Sequence, residues 1–196
     1  TNFAGEANKF INNHASGSGK MVDAQGNYYY VSHPPLAYYL PYAVFSVFDI
    51  EPDVLPLQYF NLFINLLCGF GIYLLARRLL PGHSWIGLQA ALVYWFVPAV
   101  LWFQSNVYMS DMMVQPFFIA ALLLALYVAE SPKPLTIVAL GLVCFMGTYT
   151  TWFGVFIAFS LGIYFLFRSL NRPVYLWVIG VLAVSQVLAL GFMAWQ

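Results

Sequence analysis

Between residues 57 and 195 the chain runs through the apolar stretches 57–80, 85–103, 112–129, 135–149, 152–167 and 174–195. None carries an acidic or basic side chain except the Arg77-Arg78 pair that closes the first. A helix that crosses a bilayer needs roughly 20 mainly apolar residues. Backbone polar groups in hydrocarbon must be satisfied within the segment itself, so lengths of this order suit helices rather than barrel strands. The expectation is an all-α multi-pass membrane protein with about six transmembrane helices. The two stretches that flank Thr148-Tyr149-Thr150-Thr151 are short, which predicts tilted helices or a hairpin that only just spans.

Composition agrees. Charged residues make up 7% of the chain and hydrophobic ones 62%, whereas a soluble domain carries about 25% charged residues. Seven Lys and Arg balance seven Asp and Glu, which excludes a basic nucleic-acid-binding surface. Intrinsic disorder is excluded by the same apolar content. Cys68 and Cys144 both lie inside apolar runs, so they read as packing residues and imply no disulfide framework.

Residues 1–56 differ in kind. The first 32 are rich in Asn, Gly and Ser and carry Glu6, Lys9, Lys20 and Asp23. They read as an exposed loop with at most one short helix over 4–13. The polar start at Thr1 has no basic-then-apolar leader before it, and the expectation is an N-terminal portion of a longer protein that itself lacks the first residues and a first spanning helix. Residues 36–48 are apolar and aromatic but too short to cross, and they stop at Asp49-Ile50-Glu51-Pro52-Asp53. They are expected to form a juxtamembrane helix at the interface. The expected division is thus a loop with its interfacial helix over 1–56 and a transmembrane bundle over 57–196.

Cations predict the orientation. Alternate loops carry Arg77 and Arg78, then Lys133, then Arg168 and Arg172, while the intervening ones hold Asp49, Glu51, Asp53 and Asp111 but no Lys or Arg. Short loops with Lys or Arg stay in the cytoplasm. The N-terminal loop, His33-Pro34-Pro35 and Asp111 then share the outer face. Trp85, Trp102, Trp152, Trp177 and Trp195 fall near segment ends, as an interfacial aromatic belt requires.

Polar residues are scarce, so those that gather on one face carry information. Glu6, His14, Asp23, the His33-Pro34-Pro35 turn and Asn106-Val107-Tyr108-Met109-Ser110-Asp111 all meet the outer surface. A carboxylate there is suited to act as a general base towards a hydroxyl. Each residue also has an ordinary reading. Asp111 can cap the helix that follows it, Pro34-Pro35 can simply start one, and His33 and Glu6 can be solvated surface groups. Arg77 and Arg78 read as topology anchors. No zinc-ligand spacing and no phosphate-cradling glycine loop is present, and the question of a divalent metal stays open. Mid-segment positions are almost all apolar, Asn61, Asn65 and Gln89 being modest exceptions.

The order of these features resembles polyprenyl-phosphate-dependent glycosyltransferases of the C-type fold, especially the protein O-mannosyltransferase and aminoarabinose transferase group. The resemblance rests on Tyr28-Tyr29-Tyr30-Val31-Ser32-His33-Pro34-Pro35-Leu36-Ala37-Tyr38-Tyr39-Leu40, on the long helix ending Leu74-Leu75-Ala76-Arg77-Arg78-Leu79, and on Tyr108-Met109-Ser110-Asp111-Met112 opening a helix. It covers about residues 1–170. It implies inverting transfer of a sugar from a polyprenyl-phosphate carrier to an acceptor lipid, glycan or protein, at the outer face of a bacterial or archaeal cell membrane. By position, Glu6 matches the second acid of the family's first-loop pair, with Gly5 in place of the first, and Asp111 matches the later Asp. These two would be catalytic. His33, Pro34, Tyr38, Asn106, Tyr108 and Lys9 would bind substrate, and Gln104-Ser105-Asn106 stands where the family often has an Arg. The rival reading is a small multi-helix transporter or channel, which would place polar groups near mid-bilayer.

Overall fold

The computed structural model describes the backbone of residues 20–22, 28–30, 34–51, 53–105 and 110–195. A two-stranded antiparallel ribbon comes first, β1 (Lys20–Val22) against β2 (Tyr28–Tyr30), with Met21 opposite Tyr29. Composition alone predicts a plain loop here. The run Tyr28-Tyr29-Tyr30 has the aromatic character that favours a strand instead. The short helix expected over 4–13 lies outside the described residues.

Helix α1 (Leu36–Val47) forms within the expected stretch 36–48, one residue shorter than anticipated. Its 12 residues span about 18 Å, well short of roughly 30 Å of hydrocarbon. It ends in a left-handed cap. Asp49 has φ 52°, and the Ile50 amide reaches back to the Phe45 carbonyl at 2.9 Å, the six-residue closure that usually takes glycine.

Helix α2 (Val54–Leu79) starts where Asp53 accepts a hydrogen bond from the Val54 amide at 2.7 Å. It closes with Arg77 and Arg78 in its last turn, where cations complement the helix dipole. The stretch 85–103 is expected as one span, and here the structure differs. It forms α3 (Ser84–Phe96) and α4 (Pro98–Ser105), broken at Val97, whose backbone is extended with ψ 122°. A proline at 98 disfavours helical geometry in the residue before it. Next come a 3-10 turn (Ser110–Val114), α5 (Gln115–Glu130), α6 (Pro134–Thr150), α7 (Phe153–Ser169) and α8 (Tyr175–Trp195).

Among the described residues, three helical segments are long and apolar enough to cross a membrane: Val54–Leu79, Met112–Glu130 and Tyr175–Trp195. The apolar helices α6 and α7 are shorter, at 17 residues each. Only 22% of the apolar window of α8 is buried, and large residues such as Phe63, Phe70, Phe156, Phe159 and Val187 point outward. Helices that are apolar on their exposed faces too require an apolar surrounding. The fold is that of a helical membrane protein.

Two buried clusters meet at α5. Ala121, Ala125, Val128 and Ala129 pack with Leu140, Cys144, Leu161, Phe165, Tyr175 and Val178 of α6, α7 and α8. Ile119 instead faces Leu57, Phe60, Ile64 and Cys68 of α2 together with Ala37, Tyr38 and Phe45 of α1. Small residues on α5 let backbones approach closely, which matters where lipid supplies no hydrophobic drive between helices. At the α6–α7 corner two stretches of backbone approach closely. A Cβ on Gly154 would lie 2.2 Å from the Thr148 nitrogen and 2.3 Å from the Gly147 carbonyl carbon.

Candidate functional site

The residues anticipated as a site divide into those the structure places and those beyond it. Glu6, Lys9, His33, Asn106 and Tyr108 lie outside the described residues. Asp111 is placed by its backbone in the 3-10 turn Ser110–Val114. Pro34 is fully buried and Tyr38 is 6% exposed.

Helix α1 packs on that 3-10 turn, and both pack on α6. Tyr38 of α1 and Met113 of the turn belong to one buried cluster. Two parts of the anticipated site, 73 positions apart in the chain from Tyr38 to Asp111, therefore meet at one end of the bundle. Pro34 and Tyr38 are both buried. Tyr39, beside them, is half-buried, and burial pushes its phenol above the ordinary tyrosine range, so it stays neutral.

Beneath this end runs a polar seam that hydropathy alone does not reveal. The Tyr94 hydroxyl donates to Gln115 Oε1, and Gln115 Nε2 lies 3.1 Å from the sulfur of Met112, the residue next to Asp111. Asn61 and Asn65 are buried on α2, and the Trp95 indole donates to the Asn65 carbonyl at 3.2 Å. Asn65 Oδ1 is buried without a hydrogen-bond donor among the described residues. On the neighbouring side the Thr148 hydroxyl donates to Gln186 Oε1 at 2.7 Å, and Gln186 Nε2 donates to Ser185 Oγ at 3.2 Å. Gln89, a polar exception within the apolar stretches, is exposed. Ser185-Gln186 is the polar pair that the bundle engages. Its signal in the sequence is a glutamine in the middle of a charge-free run.

The opposite end gathers the cations, as their alternation between loops predicts. Arg78 pairs with Glu130 and lies over the Tyr127 ring at 4.5 Å. Arg168 donates to the Tyr164 hydroxyl through Nε at 3.1 Å and Nη2 at 3.0 Å, and Arg77 donates to Tyr73 at 3.0 Å. His83 is exposed in the α2–α3 turn. Cys68 and Cys144 are both free and buried, one in each cluster. Among the described residues no group of His, Cys, Asp and Glu is arranged to hold a metal ion. No family model, characterised protein or solved structure matches the chain.

Proposed function

We propose that this chain is the membrane part of a glycosyltransferase that uses a polyprenyl-phosphate sugar donor. The observation that carries the reading is the seating of α1, through Tyr38 in one buried cluster with Met113, against the Asp111 turn at the end of the bundle opposite the arginines. In a membrane with about six crossings, Lys/Arg-bearing loops in the cytoplasm put that end outside, in a bacterial or archaeal cell membrane. There a polyprenyl tail reaches the site through lipid and an acceptor hydroxyl reaches it through water.

The chemistry is an inverting displacement. A carboxylate, Glu6 by the family resemblance, takes the proton of the acceptor hydroxyl. The acceptor oxygen bonds to the anomeric carbon as the carbon–oxygen bond to phosphate breaks, and polyprenyl phosphate leaves. Asp111 orients the acceptor or shares the proton, while His33, Asn106, Tyr108 and Lys9 hold sugar and phosphate. The test is transfer of radiolabelled sugar from polyprenyl-phosphate donors in membranes containing the protein. Labelled product that requires the chain supports the reading, and its absence across hexose and aminopentose donors refutes it.

One observation favours a second reading. Asn61, Asn65, Thr148 and Gln186 place polar groups inside the bundle, as a transporter requires. Solute flux in proteoliposomes, with no sugar transfer, would establish that alternative.

A further inference from the structure

At the arginine end, a cavity of about 330 Å³ opens between Ala129 and Glu130 of α5, Arg168 of α7, Asn171 and Arg172 of the following loop, and Tyr175 of α8. Its rim is built. The Tyr175 hydroxyl is buried and donates to the Ala129 carbonyl at 2.7 Å, which ties α8 to α5 at the cavity. Of the charges on the rim, Glu130 is already matched by Arg78. Arg168 keeps Nη1 outside its bonds to Tyr164, and Arg172 makes no ion pair among the described residues. Two arginines and Asn171 therefore line the cavity beside one carboxylate, Glu130, that is already paired with Arg78.

From this we infer that the cavity binds the phosphodiester headgroup of an anionic glycerophospholipid. Guanidinium groups recognise phosphate oxygens through paired N–H donors. Basic pockets between helices at a membrane surface are suited to such headgroups. The surroundings select a lipid over a free anion. Leu170, Leu176 and Trp177, flanking the lining residues in the chain, stand exposed as an apolar apron on which acyl chains lie, and Trp177 marks the depth of the headgroup layer. This site is at the other end of the bundle from the transfer site and does not depend on that reading.

The test is the melting temperature of the purified full chain in detergent, titrated with phosphatidylglycerol, phosphatidylcholine or inorganic phosphate. Phosphatidylglycerol alone should raise it. Arg172→Gln should shift the midpoint of that titration to about fivefold higher lipid, and Arg168→Gln combined with it should abolish the effect. Arg77→Gln, at the same surface but outside the cavity, should leave the midpoint unchanged. Because Arg172 is exposed and makes no ion pair, its single variant decides the question even if the double variant does not fold. Equal stabilisation by phosphatidylcholine, the same shift from inorganic phosphate, or an equal effect of Arg77→Gln would each overturn the assignment.

Discussion

The Thr148 hydroxyl donates to the Gln186 side-chain carbonyl at 2.7 Å, tying the last turn of α6 to the middle of α8. The Ser185 hydroxyl extends the link by donating to the Leu182 carbonyl at 2.7 Å. In lipid, two polar side chains do better by meeting each other than by facing hydrocarbon, so one such pair sets the register of two helices that are otherwise apolar all round.

Removing both partners should therefore cost little more than removing one. Gln186→Leu is expected to lower unfolding free energy in micelles by roughly 0.6–1.7 kcal/mol. Thr148→Val placed in that background should add little. Strictly additive losses in a double-mutant cycle would show that the two side chains are not coupled.

Gly154 should be intolerant of even one methyl group. The nearest atoms to an added Cβ are backbone, at 2.2 and 2.3 Å, and they cannot rotate away. Gly154→Ala is expected to cost about 1–3 kcal/mol as the α6–α7 corner is forced open. At Gly162 a Cβ meets nothing within 4 Å, so Gly162→Ala should be neutral or gain about 0.5–1 kcal/mol from helix propensity. Thermal midpoints of the two variants in one detergent make the comparison, and equal midpoints would refute it.

Sidedness can be read by thiol labelling in intact cells. Cys68 and Cys144 are buried, so the native background should be low. A cysteine at Ser84, where the α2–α3 turn enters α3, should react only with reagent delivered to the cytoplasm. One at Ser105, at the end of α4, should react from outside. Labelling of both from the same side would overturn the proposed orientation and the sharing of one face.

If the outer end transfers sugar, Glu6→Gln keeps the shape of the side chain and removes its basicity. Turnover in the intact protein should fall by a factor on the order of 10² or more, with donor binding largely retained. Asp111→Asn should reduce turnover as well. Full activity of the Glu6→Gln protein would move the base elsewhere.

Local features were legible where local physics decides them. The end of α1 follows from the acidic break at Asp49 and the end of α2 from the Arg77-Arg78 pair, since helix-end chemistry acts within one turn, whereas α2 starts at Val54, three residues before the expected stretch. The common end shared by Arg78, Glu130, Arg168 and Arg172 follows from alternation along an antiparallel bundle. The break at Val97 was also written locally, in Pro98, although a continuous apolar run concealed it. Asp111 was visible as a polar break and Tyr38 as part of an aromatic repeat, but nothing in either segment indicated that α1 would pack on the turn that holds Asp111.

Apolar segment length, charge placement and helix-end chemistry were determined by the sequence itself, because each depends on neighbours a few positions away. Which helix faces touch was decided only by tertiary structure. A helix apolar on every side carries no stripe to mark its buried face, and lipid does not distinguish one apolar face from another. The pairing of Thr148 with Gln186, the meeting of α1 with the Asp111 turn, and the arginine-rimmed cavity beside Tyr175 all arise from close approach of residues far apart in the chain. Small residues such as Ala125 and Gly154 permit that approach, and buried hydrogen bonds fix it.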